Sequence, residues 1–428
     1  MKIYYEEQIK VEEQKNLLKR PAQIGTVDLE SIQRLCGDVK GQGDRAVRNY
    51  SQRFDSATPD TFRVPQEEID AAAKIISPEF RKALEQAATN IRAFHALQLR
   101  STQQVETVAG VRCWREVRPL ETVGLYVPAG SAPLPSTVLM LGIPAQLAQC
   151  KRIILCSPPR TNGKVDPFVL ATAQFIGITE IYCVGGAQAI AAMAYGTESI
   201  PKVDKIFGPG NKYVAAAKQF VSNDPDGAAI DMIAGPSEVL ILADETALPE
   251  VVAWDCISQA EHDPDAQAVV VTTDSKLAKA LEEALTQIPT NIPRNDIVQK
   301  ALSKSFALVA KSLDSAIQFV NDYAPEHLII NVKNAEALVP KIQNAGSVFL
   351  GAYAPVTAGD YASGTNHTLP TSGAARWFSG LTVESFQKTI TFQSLTKNGL
   401  QALSPTLIAF AEAEGLYAHS KSVTCRLS

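Results

Sequence analysis

Glu180-Ile-Tyr-Cys-Val184 runs straight into Gly185-Gly-Ala-Gln-Ala-Ile190, and that junction decides the fold. Five residues of mostly β-branched and apolar character read as a short buried strand. The glycine pair turns the chain, and the residues after it open a helix. The same order recurs at Lys205-Ile-Phe207, Gly208-Pro-Gly-Asn211 and the helical stretch beyond. Strand, glycine turn and helix in repetition specify parallel βαβ units with right-handed crossovers.

Working outward, Val123-Gly-Leu-Tyr-Val127 reads as a strand that ends in the turn-rich loop Pro128-Ala-Gly-Ser-Ala-Pro-Leu-Pro135. Arg152-Ile-Ile-Leu-Cys156 is the next strand, after a helix ending near Cys150. A second series begins at Glu238-Val-Leu-Ile-Leu-Ala243 and continues through Ala268-Val-Val-Val271, Phe306-Ala-Leu-Val309, Leu328-Ile-Ile330 and Ser347-Val-Phe-Leu350. Ahead of both, Leu29 to Phe54 and Pro65 to Leu99 carry helical periodicity, and from Leu381 onward the tail reads helical. The fold class expected is therefore α/β, with two Rossmann-like parallel-sheet domains that lack G-x-G-x-x-G, plus N-terminal and C-terminal helical arms. The expected division is an N-terminal arm at 1–25, one α/β domain from 26–125 with 238–381, a second at 126–237, and a tail at 382–428.

A chain of 428 residues suggests roughly two to four domains. Apolar residues make up 46% and charged residues 20%, the balance of a globular chain. The net charge is −5, and no long basic run is present, which argues against nucleic acid or an anionic membrane as a partner. Seven scattered cysteines without a C-x-x-C pair read as reduced thiols. The charged start, Met1-Lys-Ile-Tyr-Tyr-Glu-Glu7, does not read as a secretory signal, so a cytoplasmic protein is expected.

Candidate chemistry gathers around the five histidines. Gln259 and His262 lie three apart at the end of a helix that Asp263-Pro264 should stop, so they share a face. An amide oxygen and an imidazole there can ligate a metal, or they can simply be polar residues at a helix end. Glu326 and His327 stand at a helix-to-strand junction, where a carboxylate and an imidazole can handle two proton transfers. Asp360 and His367 share a Gly/Ser/Thr-rich loop, a donor set that suits zinc. Glu414 and His419 sit five apart in the tail, a poor match to one helical face, so the tail is expected to break at Gly415. His95 reads as a packing or surface residue. The turns at 185–188 and 208–211 place backbone N–H groups where phosphates can bind, but the dinucleotide fingerprint is absent, and a nucleotide site stays open on this ground alone.

Taken together, these runs resemble the histidinol dehydrogenase family. The resemblance is carried by Gly124-Leu-Tyr-Val-Pro128 with Ser136-Thr-Val-Leu-Met140, Val184-Gly-Gly-Ala-Gln-Ala-Ile190, Lys205-Ile-Phe-Gly-Pro-Gly-Asn211, Ile230-Asp-Met232 and Ala234-Gly-Pro-Ser-Glu238. It continues through Ser258-Gln-Ala-Glu-His262, Pro325-Glu-His327, Gly359-Asp-Tyr-Ala-Ser-Gly-Thr-Asn-His367 and Glu414 to His419. One departure is Pro128-Ala-Gly130, where the family more often has Pro-Gly-Gly. The resemblance implies oxidation of L-histidinol to L-histidine with two NAD molecules, in an intertwined homodimer whose swapped tails complete each other's sites. It implies one zinc ion per subunit on Gln259, His262, Asp360 and His419. It implies His327 as the base for the hydroxyl proton and Glu326 as the base that activates water. Ser237, Glu414 and, at the end where the carboxylate forms, His367 are implied to contact substrate, and the zinc ligands with His327 line the same site. Tyr126, Gln188 and Asn211 are implied to contact the dinucleotide. A dehydrogenase of the same superfamily acting on another polar alcohol, such as a sulfonated diol, is the alternative. A catalytically dead binding protein and a zinc hydrolase are disfavoured, the first because both bases are present and the second because H-E-x-x-H is absent.

Overall fold

A computed structural model describes residues 1–20, 27–55, 57–99, 102–129, 132–232, 235–289 and 291–428. Gly130 and Ser131 of the turn-rich loop, and Ala234 of the Ala234–Glu238 run, lie outside the described residues. The chain opens with β1 (Lys2–Tyr5) and α1 (Val11–Leu17), then four helices: α2 (Leu29–Gln42), α3 (Asp44–Phe54), α4 (Gln66–Ile75) and α5 (Pro78–Ala96). The two long helical stretches expected at 29–54 and 65–99 are each split in two. Gly43, at φ +55°, ends the first half of one. Ser77 before Pro78 is held extended and breaks the other, its hydroxyl capping the new helix through the Phe80 N–H.

A hairpin of β2 (Gln104–Val108) and β3 (Val111–Pro119) follows, turning at Gly110. The first βα series is β4 (Thr122–Tyr126), α6 (Pro135–Leu147), β5 (Arg152–Ser157), α7 (Pro167–Phe175), β6 (Ile181–Cys183), α8 (Gly186–Tyr195), β7 (Lys205–Phe207), α9 (Lys212–Ser222) and β8 (Ala229–Ile230). The second is β9 (Glu238–Ala243), α10 (Pro249–Ala260), β10 (Gln267–Thr272), α11 (Ser275–Gln287), α12 (Asn295–Leu302), β11 (Phe306–Val309), α13 (Leu313–Tyr323), β12 (His327–Asn331), β13 (Ser347–Leu350) and α14 (Val356–Tyr361). The chain closes with β14 (Gln387–Leu395), α15 (Lys397–Ala413) and α16 (Tyr417–Leu427).

Both series form parallel sheets, as the strand–glycine–helix rhythm predicts. The smaller has the order β6-β5-β4-β7-β8 and the larger β1-β11-β10-β9-β12-β13. Strand β1 completes the larger sheet by pairing with β11, so the start of the chain is part of a domain and not only an arm.

The helices at 29–96 pack on the smaller sheet, whereas the sequence reading grouped them with 238–381. Ile32, Leu35 and Val39 of α2 join Ile154, Ile190 and Met193, and Ile69 and Ile91 of α4 and α5 join Leu125, Leu139 and Val169. The reason lies in α6 and α8, which are buried along nearly their whole length. A helix that is apolar all round needs cover on the side away from its sheet, and α2 to α5 supply it.

The tail is corrected in part. Gln387–Leu395, expected to be helical, is a strand paired antiparallel with β3, in a sheet of order β14-β3-β2. Thr389, Ile390, Thr391 and Phe392 favour extended backbone, and Phe392 stacks on Trp114 with ring centroids 5.5 Å apart. Beyond it α15 packs on α16 and touches β14 and β2, and no residue of α16 is buried. All seven cysteines are free. Among the described residues no helix is long and apolar enough to cross a membrane.

Candidate active site

Three junctions of the larger sheet build the site: the start of β9, the start of β12 and the loop after α14. Parallel registry pairs His327 with Val239, so Glu238 and the Glu326–His327 pair meet at the N-terminal ends of their strands. Open α/β sheets usually bind ligands at the opposite, carboxyl ends.

Glu326 and His327 are almost fully buried. Helix α13 delivers them through Ala324, a non-glycine residue at φ +51° whose left-handed conformation ends the helix. The His327 Nδ1 lies 3.1 Å from the Glu238 carbonyl oxygen. A carbonyl only accepts, so Nδ1 carries the proton and Nε2 presents its lone pair. That Nε2 has no hydrogen-bond partner and lies 3.7 Å from Asp360 Oδ1. Burial, reinforced by His262 and His367 nearby, pushes the His327 pKa down to about 3, so the ring is neutral at physiological pH. Burial likewise pushes Glu326 well above the usual carboxylate range, with Glu238 and Asp360 adding repulsion against the Glu238 N–H that bonds it. The Glu238 N–H donates to Glu326 Oε2 at 2.9 Å.

Asp360, on α14, is pushed up to about 7 by burial. Its carbonyl accepts from His367 Nδ1 at 3.0 Å, and His367 Nε2 lies 3.2 Å from the Thr137 hydroxyl on α6. Asn366 beside it donates to the Met140 carbonyl at 2.6 Å, so this loop ties the larger sheet to the smaller one. Burial pushes His367 down to about 4. His262 stands at the rim just past α10, open to solvent on one side, yet enclosed enough that burial and Arg294 lower its pKa. Gln259 is buried, and its Nε2 has no partner.

The residues do fit a zinc ion. The Gln259 amide oxygen, the His262 imidazole and the half-buried Asp360 carboxyl are nitrogen and oxygen donors of the kind zinc takes. Among the described residues no group of three or more His, Cys, Asp or Glu is gathered closely enough to hold a metal. Glu414 and His419, expected at this site, are exposed on the tail.

The expected dinucleotide residues cluster elsewhere, beyond the strand ends of the smaller sheet. Tyr126 is buried and its hydroxyl accepts from the Gly186 N–H at 3.0 Å. Gln188 is buried and donates to Asp55 Oδ2 at 3.2 Å. Asn211 is exposed and caps α9 by accepting from Tyr213 and Val214 N–H groups. Ser237, adjoining Glu238, is half-buried.

A family model described as histidinol dehydrogenase matches residues 18–427. The chain belongs to the histidinol dehydrogenase family. It is 50% identical over 417 residues to the histidinol dehydrogenase of Vibrio parahaemolyticus, covering 97% of this chain and 96% of that one. The enzyme of Pectobacterium atrosepticum is also 50% identical, over 419 residues, with 98% and 94% covered. The crystal structure of histidinol dehydrogenase from Elizabethkingia anophelis superposes with a TM-score of 0.95 at 50% identity, covering 100% of this chain and 98% of that one. As a histidinol dehydrogenase family member the chain is an NAD-dependent oxidoreductase acting on a CH–OH group, in histidine biosynthesis. The family works on histidinol, with NAD and zinc.

Three further residues had no role in the sequence reading. Glu238 touches both members of the buried pair. Arg20 grips Glu238 with its Nε 2.7 Å from Oε2. His95, buried on α5, lies 3.3 Å from Asn366 Nδ2 and supports the loop that carries His367. No local pattern marks the contact of the first two, because it spans 218 positions.

Proposed function

We propose that this enzyme oxidises L-histidinol to L-histidine through L-histidinal in two NAD-linked steps, in a cytoplasmic homodimer whose sites are each completed by the tail of a second copy. The observation that carries the reading is the state of His327: neutral, fixed through Nδ1, with its Nε2 lone pair free beside Asp360.

Gln259, His262 and Asp360 would hold one zinc per subunit, with His419 of the partner subunit as the fourth protein ligand. Zinc bound there supplies a positive charge that orients the substrate's imidazole and amino nitrogens, and NAD supplies the hydride acceptor. His327 takes the hydroxyl proton at Nε2 while hydride leaves the carbinol carbon. Glu326 then takes a proton from water as the water oxygen adds to the aldehyde carbon. Burial raises its proton affinity, which makes its carboxylate a stronger base than a solvated one. The hydrate loses its hydride in the second step. Ser237, His367 and the tail's Glu414 contact the substrate, His367 at the end where the carboxylate forms. Tyr126, Gln188 and Asn211 build the dinucleotide end, the first two by holding the turn at Gly186 and the start of α8.

Sharing of the tail is supported by its surface. Phe410 is 65% exposed and Tyr417 73% exposed, on helices that cover no core of their own. A site closed by a second chain also retains the reactive aminoaldehyde between oxidations. The test is the yield of NADH per histidinol consumed. Two supports the four-electron reaction, and one would make the aldehyde the product and refute it.

A further inference from the structure

Beneath the two bases lies a buried ion pair that the chemistry above does not use. Arg20 directs Nε and Nη2 at the two oxygens of Glu238, at 2.7 and 2.8 Å. Its Nη2 also donates to the Tyr323 carbonyl at 2.6 Å, and Nη1 to the Leu18 carbonyl at 2.9 Å. The guanidinium lies 3.5 Å from the centre of the Tyr323 ring. The two side chains are 8% and 2% exposed.

Such a pair is weak evidence of a stability role. Desolvating two charges offsets most of their attraction, and an apolar pair of equal volume commonly holds a fold as well. What an apolar pair could not do is visible in the contacts of Glu238. Its Oε1 accepts from the Glu326 N–H at 3.3 Å, its N–H donates to the Glu326 carboxylate, and its carbonyl fixes the tautomer of His327. Glu238 therefore reaches both bases through three different atoms. Arg20 in turn bridges Glu238 on β9 and the Tyr323 carbonyl at the end of α13, the two elements whose relative placement sets where Glu326 and His327 stand. A planar fork holds both carboxylate oxygens and the helix-end carbonyl in one fixed geometry, where an ammonium acts as a point charge without the bidentate match.

We propose that Arg20 and Glu238 are positioning residues for the reaction, a clamp that fixes Glu326 and His327 against the sheet without touching substrate. The proposal rests on the reading of Glu326 and His327 as the bases. Its test uses the full-length enzyme with Arg20→Met, Arg20→Lys, Glu326→Gln and the Arg20→Met/Glu326→Gln double variant. The readouts are kcat and KM for histidinol, bound zinc per chain and thermal midpoint.

Displacement of a reacting group by about 1 Å can cost on the order of 100-fold, so Arg20→Met should lower kcat by roughly 10- to 100-fold. KM should stay within about threefold and zinc content should match wild type, a split that simple misfolding does not give. Arg20→Lys should fall between. In the Glu326→Gln background the same Arg20→Met change should cost at least about threefold less, because its effect acts through a side chain already removed. Unchanged kcat in Arg20→Met overturns the proposal, as does a loss undiminished in the double variant. If Arg20→Met does not fold, wild-type kcat in a folded Arg20→Lys overturns it equally. Wild-type turnover in Glu326→Gln alone is a separate result, one that removes the reading of the bases and the clamp with it.

Discussion

Replacing Gly346 by alanine probes the rigidity of the catalytic junction without removing any functional group. Gly346 lies just before β13, and its N–H donates to the Pro325 carbonyl at 2.9 Å. A Cβ placed there would stand 2.6 Å from the Glu326 carbonyl oxygen and 3.2 Å from the Leu369 Cβ. Ordinary contact begins at 3.4 Å, so the methyl must open the gap to Glu326 by about 0.8 Å, the difference between those two distances. Leu369 limits retreat on the other side. The Glu326 carbonyl is itself held by the Ser347 N–H at 2.9 Å, so Glu326 and His327 have to move together. Overpacking of this kind costs about 1–3 kcal/mol of stability. A shift of several tenths of an ångström in a base should lower kcat by roughly 10- to 100-fold. Initial rates of NADH formation at saturating histidinol and NAD, with a thermal melt of the same sample, separate the two effects. A lower melting temperature with wild-type kcat would mean that β13 yields alone, and it would refute the claim that the pair is rigidly framed.

Two other outcomes are expected, the first from the proposed sharing of the tail and the second from the structure. Mixing Glu326→Gln chains with His419→Ala chains under conditions that exchange subunits should restore activity at one site of each mixed dimer. By statistical mixing of two-fold dimers that is roughly a quarter of wild-type activity, and a mixture as inactive as its parents would exclude tail sharing. Glu6 supplies a pH signature. Burial alone would raise its pKa, but the Ser315 hydroxyl and the Lys311 N–H and ammonium outweigh this and hold it below its ordinary value. A depressed carboxyl stabilises the fold above its unfolded pKa and loses that contribution as pH falls through the folded one. Glu6→Gln should therefore destabilise the protein by about 1–2 kcal/mol near neutrality and flatten the acid limb of its stability curve. Parallel acid limbs for the two proteins, measured by denaturant titration across pH 3–7, would contradict it.

Much of the fold was legible because parallel βαβ units carry strong local signals. The glycines after β6 and β7 punctuate the chain where a strand hands over to a helix, and the continuous apolar runs of β9 and β10 announce strands buried on both faces. Strand β14 escaped because its neighbours are helical and its partner β3 lies some 270 positions earlier. The packing of α2 to α5 on the smaller sheet was open to inference from α6 and α8, whose apolar surfaces need an outer layer. At the site, His327 was readable as a base candidate from its junction with Glu326, but its tautomer depends on a carbonyl 89 positions away. Glu238 closes one of the runs that carry the resemblance, but its pairing with Arg20, 218 positions away, left no local pattern. His419 is a different case: it is exposed on the tail, and its proposed role as a ligand rests on the resemblance.

If the tails are shared as proposed, one zinc ion joins two chains beside His327. The most direct measurement is an anomalous difference map at the zinc edge from crystals of the zinc-loaded dimer. One peak per subunit is expected, bounded by Gln259, His262 and Asp360 of one chain and His419 of the partner subunit. A peak away from those residues, or one at that place with both His419 side chains remote from it, would rule out a shared zinc site.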